Sequence, residues 1–121
     1  MVKMRKIFED KRGEINLFEI GGREFLLFFT KKDALRGGHI HDLREYCAIL
    51  EGSIERHLMI DDQDQIDVLN EGDFSIVPPK IPHLVKALTD CWMIEWHEYP
   101  KNRIIYEPYR KLVERYLDEK D

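Results

Sequence analysis

Seven short apolar runs, INLFEI, REFLLFFT, YCAIL, SIERHLMI, DFSIV, HLVKAL and CWMIEW, recur along this chain between turn signals. The turns read GG at 21–22 and 37–38, DDQD at 61–64, EGD at 71–73 and PPKIP at 78–82. The runs are rich in β-branched and aromatic residues and too short for helices, so their spacing predicts an antiparallel sandwich or barrel. SIERHLMI shows the alternation directly: Ile54, Arg56, Leu58 and Ile60 share one face, and Glu55, His57 and Met59 share the other. At 121 residues the chain suffices for one core but not for two.

The period changes after Pro100. In YEPYRKLVERYLDEKD, Tyr109, Leu112, Val113, Tyr116 and Leu117 follow the spacing of an amphipathic helix. Pro108 suits its first turn, where a missing N–H has no intrahelical partner to lose. The expectation is one domain over residues 1–121, all-β except for a helix at about 107–118, with the barrel at about 14–99. The helix would pack on the outside of the sheets or on a second subunit.

Nineteen Lys and Arg stand against 24 Asp and Glu, a formal net charge of −5. A sequence-independent nucleic-acid binder needs a basic footprint, so nucleic acid is excluded as a partner. MVKMRKIFEDKRG has no apolar run of signal-peptide length and no later segment approaches a membrane span, so no membrane association is expected. Cys47 and Cys91 lie in apolar surroundings and read as buried thiols rather than a disulfide, which places the protein in the cytoplasm.

The chemistry concentrates in RGGHIHDLREYCAILEG. His39 and His41 are two apart, so on a strand they share a face. Glu45 has the same parity, but six residues of continuous strand would carry it roughly 20 Å from His39. A turn in DLR must therefore fold the chain back so that Glu45 enters the neighbouring strand beside the pair. His83, opening the strand after PPKIP, supplies a fourth candidate. Three imidazoles and one carboxylate suit one borderline divalent ion, whether Zn, Fe, Mn, Ni or Cu. His57 and His97 fall outside this pattern and read as ordinary strand or surface histidines, although His97 in IEWHEYP is placed to line a barrel mouth.

These residues resemble the two motifs of the cupin family. His39, His41, Glu45 and Gly52 meet the first, G-x5-H-x-H-x3-or-4-E-x6-G, with Asp33 at its leading glycine. Gly72, Pro78 and His83 meet the second, G-x5-P-x-G-x2-H-x3-N, with Lys80 at its inner glycine and Ala87 at its asparagine. The resemblance implies a double-stranded β-helix, or jelly-roll barrel, with a metal held by His39, His41, Glu45 and His83. The departures at 33, 80 and 87 bear on loop geometry more than on metal binding.

EDKRGEINLFE and RGGHIH are similar to the opening and histidine segments of cupins acting on nucleotide-linked sugars, the 3,4-ketoisomerases and 3,5-epimerases. That resemblance implies proton transfer beside a carbonyl, a small-molecule substrate such as a nucleotide sugar, and a homodimer paired through sheets. Arg12 and Arg36 are the candidate diphosphate contacts, since guanidinium forks match phosphate oxygens. In the ketoisomerases the histidine pair moves protons without a required metal, and Glu45 stands where those enzymes usually have glutamine. Glu45 therefore favours metal, which would act as a Lewis acid while another group moves the proton. Two other readings are a metal-dependent dioxygenase or other small-molecule enzyme, and a non-catalytic metal or sugar binder.

Overall fold

A computed structural model describes residues 3–97 and 103–119; Pro100, where the sequence period changes, lies outside them. The elements run β1 (Lys3–Asp10), β2 (Gly13–Ile20), β3 (Arg23–Thr30), β4 (Leu35–His41), β5 (Glu45–Glu51), β6 (Ser53–Ile60), β7 (Gln63–Asn70), β8 (Phe74–Val77), β9 (His83–Ala87), β10 (Cys91–His97), β11 (Arg103–Ile105) and α1 (Glu107–Asp118). They form a six-stranded sheet, β1-β2-β3-β10-β5-β8, and a five-stranded sheet, β11-β4-β9-β6-β7. Both are antiparallel throughout.

The two sheets close on a core of Phe28, Cys47, Ile49, Ile54, Cys91 and Met93. Each comes from the inward parity of its strand, as alternation demands. Cys47 and Cys91 are free, buried thiols. Burial pushes both up, Cys91 to about 11, so neither is a ready nucleophile.

Strands β1, β4, β7 and β11 lie outside the seven apolar runs. β7 is exposed along nearly its whole length and β1 along all but its last residue, so neither has a buried face to impose alternation. Their pairing partners, β2 and β6, set them instead. The glycine pair at 37–38, read above as a turn, lies inside β4. It makes a bulge against β9, and the register passes from Gly37↔Leu84 to His39↔His83. The extra residue reverses side-chain parity, so Arg36 and His39, an odd number of residues apart, both face inward.

The same bulge seats the helix. A Cβ on Gly38 would stand 2.7 Å from the Arg110 Cα, and the Tyr106 amide donates to the Gly38 carbonyl at 2.8 Å. Helix α1 thus packs on the outer face of the five-stranded sheet, burying Tyr109 and Val113 against Leu84, Leu35 and Met59. Leu112, expected in this stripe, is 38% exposed. Met59 and His57 belong to the β6 face opposite Ile54 and Leu58, which explains why both faces of that strand carry large side chains. The Tyr109 hydroxyl donates to Asp64 at 2.6 Å, and His57 lies between Asp64 at 3.0 Å and Glu55 at 2.6 Å. Tyr109→Phe should destabilise the fold by about 1 kcal/mol in urea denaturation, the value of one hydrogen bond.

Asp33 and Lys80 both take left-handed backbone, at φ 72° and 66°. At both positions where the motif resemblance expects glycine, a residue that bears a Cβ thus stands in the region that favours glycine. The Asp33 amide donates to the Ala87 carbonyl and the Lys80 amide to the His41 carbonyl, at 2.8 and 2.7 Å. These bonds hold the loops flanking the histidine strands. Lys80→Gly should raise stability by about 0.5–1 kcal/mol, because relief of the left-handed strain exceeds the entropic cost of glycine; unchanged or lower stability in urea denaturation would contradict this.

Candidate metal centre

His39 and His41 project from the end of β4 and His83 from the start of β9, which pairs with it in the five-stranded sheet. Glu45 opens β5 after a turn at residues 42–44, as expected, but β5 belongs to the other sheet. The carboxylate therefore meets the imidazoles across the barrel and not from an adjacent paired strand. Glu45 Oε2 lies 2.9 Å from His41 Nε2 and 3.6 Å from His83 Nε2. The donor atoms of His39, His41 and His83 all lie within 4.8 Å of one another. His41, Glu45 and His83 are buried and His39 is half-buried.

His97 joins them. Its Nε2 is 3.0 Å from the same Glu45 oxygen, and its ring centroid is 5.0 Å from that of His41. The sequence reading leaves His97 outside the motif but names it as a residue of the barrel mouth; on β10 it shares parity with buried Met93 and pairs directly with Glu45. His57, by contrast, sits on the outer side, as an ordinary strand histidine.

Burial pushes the Glu45 carboxyl up, but His83, His41 and His97 together outweigh it and hold it well below the usual carboxylate range. Burial pulls His83 below its ordinary 6.5, with Glu45 acting in the opposite sense. Its Nδ1 is buried with no hydrogen bond of good geometry, although the Ile81 backbone is close by. A neutral imidazole presenting Nε2 beside an ionised carboxylate is the ligand form that a divalent cation requires. Bonds of about 2.1 Å place neighbouring donors around an octahedral ion about 3 Å apart. The spacings of 2.9 and 3.0 Å, and the mixed N/O donor set, fit such an ion.

The cluster forms part of a cavity of about 530 Å³ whose walls carry Phe28, Val85 and Met93, together with Arg12, Arg36 and Arg110. Arg12 is engaged by Asp10, Nη2 to Oδ2 at 2.8 Å. Arg36 donates from Nε to Thr30 Oγ1 and from Nη2 to the Phe29 carbonyl, at 2.8 and 3.1 Å. Burial and the neighbouring Arg12 charge lower Arg36 to about 10, so it remains cationic at neutral pH. Both arginines thus reach the histidine cavity, with donors already committed to protein acceptors. Arg110 reaches it from α1 and donates to the Gly37 carbonyl at 3.1 Å; its place depends on helix docking, for which its own sequence neighbourhood gives no signal.

No family model and no curated protein matches the chain. Solved structures do. Two variants of oxalate decarboxylase from Bacillus subtilis superpose with TM-scores of 0.68 and 0.70, at 18% and 16% identity. The overlap covers 78% and 84% of this chain but 27% and 30% of theirs, so the chain spans under a third of the length of the proteins it resembles. A further match, with a TM-score of 0.68 and 20% identity, concerns the Mn(II) centres of the same decarboxylase. Oxalate decarboxylase is a cupin. The fold is a cupin barrel. Within that barrel, β4, β5 and β9 bring the motif residues His39, His41, Glu45 and His83 to one place, and β10 adds His97.

Proposed function

We propose that this cupin barrel binds one divalent metal ion through His39, His41, Glu45 and His83 and acts as an isomerase- or epimerase-like enzyme on a sugar nucleotide or similar small carbohydrate. The observation that supports it is the approach of His41 and His83 to a single Glu45 oxygen, beside His39, in a cavity of about 530 Å³. That volume falls within the range of small-molecule sites. A metal bound there supplies Lewis acidity, polarising a substrate carbonyl. Imidazoles committed as ligands are not free bases, so the proton is moved by a side chain outside the donor set. Glu95, two residues before His97 on β10, lines the same cavity and is a carboxylate of the kind required. Arg12, Arg36 and Arg110 give its wall a positive character suited to an anionic substituent such as a diphosphate.

Elemental analysis of untagged protein, followed by deuterium wash-in with thymidine- or uridine-diphosphate sugars, tests the proposal. One equivalent of metal and solvent deuterium at the carbon beside the carbonyl are expected. Metal without exchange, but with oxygen uptake or carbon dioxide release from a small carboxylic acid, would replace the isomerase by the second reading, a metal-dependent oxygenase or decarboxylase. The likeness to oxalate decarboxylase is the observation that speaks for that alternative. A homodimer in the cytoplasm completes the proposal. Exposed Met4 and Phe8 on β1, an edge strand, support the pairing, and sedimentation equilibrium tests it.

Acid should weaken the metal-free protein in two stages. An unfolded histidine takes its proton near 6.5 while folded His83 resists it, so stability falls as pH drops below 6.5. The contribution of Glu45 is fully present above its unfolded value near 4.5 and is lost as pH falls through its lower folded value. Urea midpoints that stay level from neutrality through both steps would contradict these assignments.

A further inference from the structure

We propose that His97 is a fifth protein ligand of the metal centre, so that four imidazoles and one carboxylate surround the ion; this rests on the metal-binding reading above. Three observations carry it. His97 Nε2 lies 3.0 Å from Glu45 Oε2, almost the same as the 2.9 Å from His41 Nε2 and closer than the 3.6 Å from His83 Nε2. All three approach the same carboxylate oxygen. A side chain that merely oriented Glu45 would be expected on the other oxygen, leaving Oε2 to the ion. Finally, the donor atoms of His41, Glu45 and His97 form a compact group of their own, within 4.8 Å, that shares His41 with the group of His39, His41 and His83.

The direction of approach also suits ligation. His97 comes from β10 beside Glu45 on β5, while the other histidines come from the opposite sheet. A cation between the sheets would thus be held from both sides. Five protein donors leave one open position on an octahedral ion. A substrate would then bind through one oxygen, and chelation through two would require one ligand to withdraw.

Histidine-selective 15N labelling tests this on the unmodified protein. The five histidines each report whether Nε2 bears a proton or a metal when one equivalent of Zn(II) is added. The expectation is that His39, His41, His83 and His97 lose the proton at Nε2 and shift together, while His57 does not. If the first three shift and His97 keeps an Nε2 proton, His97 is a hydrogen-bond partner of Glu45 and the inference fails alone. If none shifts, or no Zn(II) is retained, the metal-binding reading itself fails. A mutational arm is independent. His97→Ala should lower Zn(II) affinity by about 10- to 100-fold, and by a similar factor in a Glu45→Ala background, with free imidazole restoring much of the loss in His97→Gly. An effect that vanishes once Glu45 is removed would mean that His97 acts only by positioning the carboxylate.

Discussion

His41→Ala is expected to lower divalent-metal affinity by about 100-fold or more, measured by competition with a chromogenic chelator. Structural zinc sites with four ligands bind with about 10–16 kcal/mol, or roughly 3 kcal/mol per ligand, which corresponds to about two orders of magnitude in affinity. His41 should lie at the high end because it belongs to both donor groups and is buried. Its removal also leaves the buried Glu45 carboxylate with one partner fewer. The metal-free variant should therefore be less stable than the wild type as well, since an ionised group out of water is costly without compensation. An unchanged affinity would show that His41 is not a ligand of the proposed ion.

Gly52→Ala should cost about 2–5 kcal/mol of stability. Gly52 turns the chain from β5 in one sheet to β6 in the other at φ 91°. A Cβ there would stand 2.3 Å from the Asp90 carbonyl oxygen and 2.7 Å from Thr89 Oγ1. The neighbouring chain cannot easily yield, because Cys91 is fully buried and the Ser53 amide is tied to Thr89 Oγ1 at 3.1 Å. Left-handed strain contributes roughly 1–2 kcal/mol and overpacking roughly 1–3 kcal/mol. A domain of this size is stabilised by only about 6–18 kcal/mol in total, so the loss should be evident in the urea midpoint. Gly21→Ala is the control: φ is also positive there, at 55°, but the space is open, and the loss should be confined to the smaller strain. Equal midpoints for the two variants would show that the approach of Asp90 is not rigid.

The contrast between these glycines marks where sequence reasoning reaches and where it stops. Alternation and turn residues were enough to predict the inner strands, because a residue buried on one face of a sheet must repeat every second position. The helix was equally readable from its 3.6-residue period. Strands β1 and β7 were not, since solvent on both sides imposes no pattern and only hydrogen bonding to β2 and β6 defines them. The pair Gly37–Gly38 has the composition of a turn, and the packing of α1 and β9 around it makes it a bulge.

The sequence by itself determined the β-rich barrel class and the amphipathic helix and singled out His39, His41, Glu45 and His83 as candidates, because periodicity and motif spacing are local properties of the chain. Tertiary structure alone decided that Glu45 reaches those histidines from the opposite sheet, that the bulge in β4 turns Arg36 inward beside them, and that His97 stands at the same carboxylate oxygen. Each depends on how strands distant in sequence come into register, and that register is fixed by packing across the barrel.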